Sequence, residues 1–151
     1  MSNFTGVTFA NQHLSPEDDA AVRRAILTDG MLTGCELSVS GPALTMEPGY
    51  LLICGRQIRH TASQSWDISQ QSSGYARLLL TIDLSLTATE EVFDQVEVAV
   101  EYAETEDGFP GLEQEDINNS GTVYQVAIAV LSLGPEGISD IVRQLEPCEY
   151  V

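Results

Sequence analysis

The chain contains no lysine: its six basic residues are all arginines, at positions 23, 24, 56, 59, 77 and 143. A phosphate-cradling loop built around a lysine is therefore excluded. Histidine is nearly absent too. His13 and His60 are the only two, and neither has a Cys, Asp or His at metal-ligand spacing. His60 follows Arg59 in an expected strand and reads as structural. The three cysteines, Cys35, Cys54 and Cys148, are an odd number with no disulfide or metal-site spacing. Cys35 and Cys54 lie in apolar runs and read as small buried hydrophobes, which suits synthesis in a reducing cytosol. No Gly-x-Ser-x-Gly elbow and no Ser/His/Asp order stands out. No basic stretch followed by an apolar core opens the chain, so a signal peptide is not expected. The longest apolar run falls far short of a membrane span.

What is present in excess is acid. Against 6 arginines stand 23 Asp and Glu, giving a net charge of −17. Such a surface repels phosphate backbones and anionic lipid, which argues against nucleic acid and membrane as partners. Hydrophobic residues make up 43%, enough for a packed core in a chain of 151 residues. The expectation is one β-rich domain over 1–151: an N-terminal arm and helix over 1–31, then a β-domain over 32–151 with an acidic loop at 104–121.

Three runs organise that β-domain. In the first, Leu78, Leu80, Ile82, Leu84 and Leu86 alternate with polar residues, broken only by Leu79. In the second, Val96, Val98, Val100 and Tyr102 alternate with Gln95, Glu97, Ala99 and Glu101. This period of two is that of a strand with one buried face. The third, 123–133, is apolar on both faces, as a strand covered from both sides should be.

Earlier in the chain, Phe4, Val7 and Phe9 are spaced as in an extended arm. Ser15-Pro16-Glu17-Asp18 is a helix start, with a capping hydroxyl, proline in the first turn and acids at the positive end of the dipole. Ala21, Val22, Ala25 and Ile26 form a narrow stripe expected to pack on the sheet or a neighbouring subunit, and Gly30 is the expected C-terminal cap. Cys35, Leu37 and Val39 then alternate with polar residues. Turns follow at Gly41-Pro42, Glu47-Pro48-Gly49 and Gly55-Arg56, with short strands between them and another near Trp66. Frequent turn signals of this kind indicate a mainly β fold, an antiparallel sandwich or partly closed barrel with a short N-terminal helix. Near the end, Ile138, Ile141, Val142 and Leu145 have roughly helical spacing.

Paired carboxylates could serve glycoside hydrolysis. The acid-rich places, Asp18-Asp19, Glu90-Glu91, Glu104-Glu106-Asp107 and Glu113-Glu115-Asp116, fall in expected loops or at the helix start. Nothing there suggests the burial that raises a catalytic carboxyl pKa. The segment Glu113 to Asn119 offers oxygen ligands for calcium but lacks the Asp-x-Asp-x-Asp-Gly order. Tyr50, Trp66, Tyr75, Tyr102, Tyr124 and Tyr150 could include a sugar-stacking platform, although strand aromatics more often fill cores. The reading is non-enzymatic, with no catalytic residue, cofactor or metal site. Phe109 and Leu112 in the acidic loop, and Tyr124, Val126 and Ile128 on the third long strand, are candidate partner contacts.

Several pieces, taken in order, resemble baseplate and tail-fibre proteins of tailed bacteriophages or prophages. They are the hairpin Glu47-Pro48-Gly49-Tyr50-Leu51-Leu52-Ile53-Cys54-Gly55-Arg56-Gln57-Ile58 and the Arg-led strand Ala76-Arg77-Leu78-Leu79-Leu80-Thr81-Ile82-Asp83. Next come Phe109-Pro110-Gly111-Leu112, the Tyr-led strand Tyr124-Gln125-Val126-Ala127-Ile128-Ala129-Val130, and Gly137-Ile138-Ser139-Asp140-Ile141. The resemblance implies a β-sandwich-like structural module in the virion tail, serving assembly or fibre attachment. It also implies a homo-oligomer, a trimer in preference to a dimer, in contact with other tail or baseplate proteins. The alternatives are a carbohydrate-binding module at the tail tip and, less favoured, a cell-wall glycosidase. Related modules often continue into a stalk and receptor-binding head; the end at Val151 favours a small adaptor.

Overall fold

The computed structural model describes Asn3 and residues 14–151; Phe4, Val7, Phe9 and His13 lie outside the described residues. Helix α1 spans Pro16–Ile26 and begins as its sequence dictates. The Ser15 hydroxyl accepts the Asp18 N–H at 3.1 Å, while Arg23 and Arg24 occupy the last turn, at the negative end of the dipole. It ends at Leu27, not at a Gly30 cap, because Leu27 is extended and bridges to Tyr150. The apolar stripe does not pack on the sheet. Ala21, Val22, Ala25 and Ile26 are all exposed, Val22 to 61%. Only Ala20 is buried, and the close neighbour of its backbone is Gly55, where any side chain would collide with the Ala20 carbonyl. A close approach to glycine, not a stripe, seats the helix.

Ten strands follow: β1 Gly30–Gly34, β2 Leu37–Ser40, β3 Ala43–Met46, β4 Gly49–Ile53, β5 Arg56–His60, β6 Gln64–Asp67, β7 Tyr75–Asp83, β8 Val96–Ala103, β9 Val123–Gly134 and β10 Gly137–Arg143. They form three antiparallel sheets, β1-β4-β5, β2-β3-β6 and β10-β9-β7-β8, with no closed barrel among the described residues. One core joins all three: Leu51 and Ile53 from the first, Leu44 and Met46 from the second, Leu78, Leu80, Ile128 and Leu131 from the third. The architecture is mainly β and sandwich-like. On β7 and β8 the inward rows match residue for residue, Leu78 opposite Val100, Leu80 opposite Val98 and Ile82 opposite Val96.

The expected C-terminal helical spacing belongs instead to strand β10. Its register against β9 shifts between Ile138 and Asp140. That bulge inserts Ser139, so Ile138 and Ile141 fall on one face although they are three residues apart. An extra residue in a strand thus mimics a helical period. The expected Gly55-Arg56 turn lies one residue earlier: Ile53 pairs with Arg56, and the turn is Cys54-Gly55, with φ of 53° and 76°. A two-residue hairpin turn with both φ values positive matches the twist of its strands. Cysteine is an unusual occupant, and partners on both sides hold it. The Cys54 N–H donates to Asp29 Oδ1 at 2.7 Å, and the Asn118 side-chain amide donates to the Cys54 carbonyl at 2.7 Å.

Asn118 comes from the acidic stretch at 104–121, a loop long enough in sequence to be functional, ordered by a partner or mobile. It is anchored within its own chain. Ile117 is 2% exposed and part of the core. Arg56 Nε donates to Asn118 Oδ1 at 3.1 Å, and its guanidinium also reaches the Ile117 carbonyl at 3.2 Å and Glu17 at 3.4 Å. At the other end of the stretch, Arg77 lies among Glu101 at 2.8 Å, the Pro110 carbonyl at 3.0 Å and the Phe109 ring at 4.8 Å from its centroid. A residue pattern cannot announce anchors of this kind, because each is a single side chain meeting a distant element.

Candidate functional site: an open sheet edge and its groove

Among the described residues strand β8 pairs only with β7, and strand β5 only with β4, so each is the edge of its sheet. A groove lies between them. It has two adjoining hollows, of about 300 and 410 Å³, that share Ile58 from β5 and Phe93 and Val96 from the approach and start of β8. The first extends to Pro16 and Arg23 of α1, the second to Met46, His60 and Gln64. Phe93 stands between the two, 60% exposed, on a turn closed by the Ala88–Phe93 bridge. The lining mixes apolar side chains such as Ile58, Phe93 and Val96 with polar ones such as Arg56, Arg59 and His60, as binding clefts commonly do.

Three of the six arginines line this groove, Arg23, Arg56 and Arg59. Two are already neutralised: Arg23 pairs with Asp19 at 2.6 Å and Arg56 with Glu17. The Glu17 carboxyl is held below its ordinary value by its own backbone N–H and by the Ser15 hydroxyl, with Arg56 assisting. Arg59 lies over the Tyr50 ring at 5.7 Å. His60 Nδ1 is 2.9 Å from the Glu47 carbonyl oxygen, a structural contact on the groove wall.

The candidate partner contacts do not gather at this groove. Ile128 is 0% and Val126 8% exposed, both in the core of their own chain. Tyr124 is half-buried beside Cys54; burial is the main cause that pushes its hydroxyl up to about 12, with the neighbouring thiol adding to it. Phe109 is half-buried against Arg77, and Leu112 is exposed. Leu112 and the outer side of Phe109 are what this set leaves for a partner. Sequence reasoning missed Phe93 and Val96 as groove residues. Their apolar character was visible, but their place depends on β5 and β8 coming together from distant parts of the chain.

The acidic groups at 90–91, 104–107 and 113–116 stand exposed. Glu115 accepts the N–H groups of Thr122 at 2.8 Å and Val123 at 3.1 Å, and these bonds lower its pKa. A carboxylate so held is a loop staple and a poor proton donor. Asp116 likewise accepts the Asn118 N–H. Among the described residues no three His, Cys, Asp or Glu side chains assemble into a metal-holding group. No described helix is long and apolar enough to cross a membrane. No protein-family model matches the chain, and no curated protein is significantly similar to it.

Proposed function

We propose that this chain is a non-enzymatic structural module of a phage or prophage tail, acting in baseplate assembly or fibre attachment. The observation that carries the reading is how the tail-like sequence pieces meet in space. The Phe109-Pro110 piece rests on Arg77 of the Arg-led strand, and Tyr124 of the Tyr-led strand lies against Cys54 of the hairpin. Pieces that recur in one order and support one another are what a shared module requires. The exposed carboxylates and the open groove fit binding better than catalysis. On this reading the chain works in the virion tail as a homo-oligomer, a trimer in preference to a dimer, because tail parts repeat one interface around an axis. Deleting the chain from its parent phage or prophage is the test. Tails that lack the baseplate or fibres are expected, and intact infective tails would overturn the proposal. Light scattering of the purified chain tests the oligomer: a mass that stays near 16.4 kDa at micromolar protein removes it.

A further inference from the structure

The outer edge of β8, free among the described residues, has a defined phase. The Asp83 N–H donates to the Gln95 carbonyl at 2.7 Å, and continuing the β7–β8 register places these two residues opposite each other. In an antiparallel pair, hydrogen-bonded and non-hydrogen-bonded positions alternate. Glu97, Ala99 and Glu101 therefore turn their N–H and C=O groups toward β7. Val96, Val98, Val100 and Tyr102 turn theirs outward, and no described backbone group meets them. Natural sheet edges are usually blunted by charged side chains, proline, a bulge, a short strand or a covering segment, and of these β8 has only the charges of Glu97 and Glu101. Strand β8 is eight residues long and carries no proline, no lysine and no register shift. Beside it lies the groove, lined in both hollows by the apolar side chains of Ile58, Phe93 and Val96.

We propose that this edge accepts an extended segment of another protein, apolar at alternate positions and basic between them. Main-chain bonds to the four outward residues would give affinity, and the alternation would give specificity. Inward side chains of the added strand would meet Val96, Val98 and Phe93. Outward side chains would lie beside Glu97 and Glu101, on a chain of net charge −17, which favours lysine or arginine. Of the groove's cations, Arg23 and Arg56 are paired and Arg59 is on the far wall, over Tyr50. A second copy of this chain is a poor occupant. Joining β8 to β8 would bring Glu97 and Glu101 against their own counterparts, and like charges across strands destabilise. The inference holds for any protein that brings such a strand, and so stands apart from the tail reading.

The test uses the whole chain and two blocked fluorescent peptides, Thr-Val-Lys-Val-Lys-Val-Thr and the same sequence with Glu for Lys. Anisotropy should show binding of the first and not the second. Hydrogen exchange should slow on binding at the amides of Val96, Val98, Val100 and Tyr102, while Glu97, Ala99 and Glu101, already bonded to β7, change little. Glu97→Lys should weaken the Lys peptide about fivefold and admit the Glu peptide. Glu97 is exposed, so this variant keeps the fold. Equal binding of both peptides, protection without the alternation, or a dimer whose β8 amides are protected without peptide would each overturn the proposal.

Discussion

The two edges of the four-stranded sheet are treated in opposite ways. Strand β10 carries a bulge, begins at a glycine with φ of 113°, and donates its Ile138 N–H to the Gly41 carbonyl of the β2–β3 turn at 3.1 Å. Beyond its end, the Gln144 N–H donates to Ile128, and next to the start of β9 the acidic stretch pairs Gln114 with Tyr124. That flank is bulged in β10 and tied down by the chain itself at both ends. Strand β8 has none of these devices. Its only guards are Glu97 and Glu101, which repel a like-charged strand and leave the edge open to a basic one.

Alkali should attack the tied-down flank hardest. Tyr124 has its pKa raised to about 12, and Cys54 is also raised, chiefly by burial. A raised folded pKa means the stabilising form is the protonated one. Its contribution is full below the unfolded values of 10.0 and 9.0 and is lost as pH rises through the folded ones. Circular dichroism should show stability flat to about pH 9 and then falling toward pH 12. Tyr124→Phe should blunt that fall. Acid works in the other direction: the lowered carboxyls of Glu17, Asp83 and Glu115 contribute above their unfolded values of 4.5, 3.8 and 4.5, and lose that contribution as pH falls through the folded ones.

Next in size is Gly137→Val, which places a side chain 2.5 Å from Gly41 at a φ that favours glycine. It should cost about 3 kcal/mol by denaturant titration and unseat β10. Arg77→Ala should cost about 2 kcal/mol, since it strips Glu101 of its partner and frees the Pro110 carbonyl. Limited proteolysis near Gly111 should be faster in that variant than in the parent. On the open flank the effects shrink. Val98→Asp should cost only about 1 kcal/mol, because Val98 is half-buried and lines the groove, where its carboxylate can reach water. Glu97→Ala should stay within about 0.5 kcal/mol. A Val98→Asp chain that fails to fold would show that the groove is closed in solution.

How far the sequence discloses this arrangement depends on the range of the interaction. The period of two in β7 and β8, the two-sided apolar run of β9 and the Ser15 cap were legible because each is written within a few neighbouring residues. The β10 strand was not, since one bulge residue moves Ile141 into helical phase with Ile138. Nor was the anchoring of 104–121, which depends on single residues such as Phe109, Pro110, Ile117 and Asn118 inside a polar stretch. The groove could not be read at all. It requires knowing that β5 and β8 each keep one side without a strand partner among the described residues, and an edge is a property of the finished sheet.

The Cys54-Gly55 turn leaves the chain with a graded set of chemical reporters. Cys35 and Cys54 are 0% and 1% exposed, whereas Cys148 is half-exposed near the C-terminus. Burial raises all three thiols, which slows their reaction at neutral pH. A thiol reagent should consequently mark Cys148 first, by local fraying. Cys54 should react only when Asn118 lets go of the turn, and Cys35 only when β1 parts from β4. The order and rates of labelling would read out, without any added probe, which part of the sandwich opens before the rest.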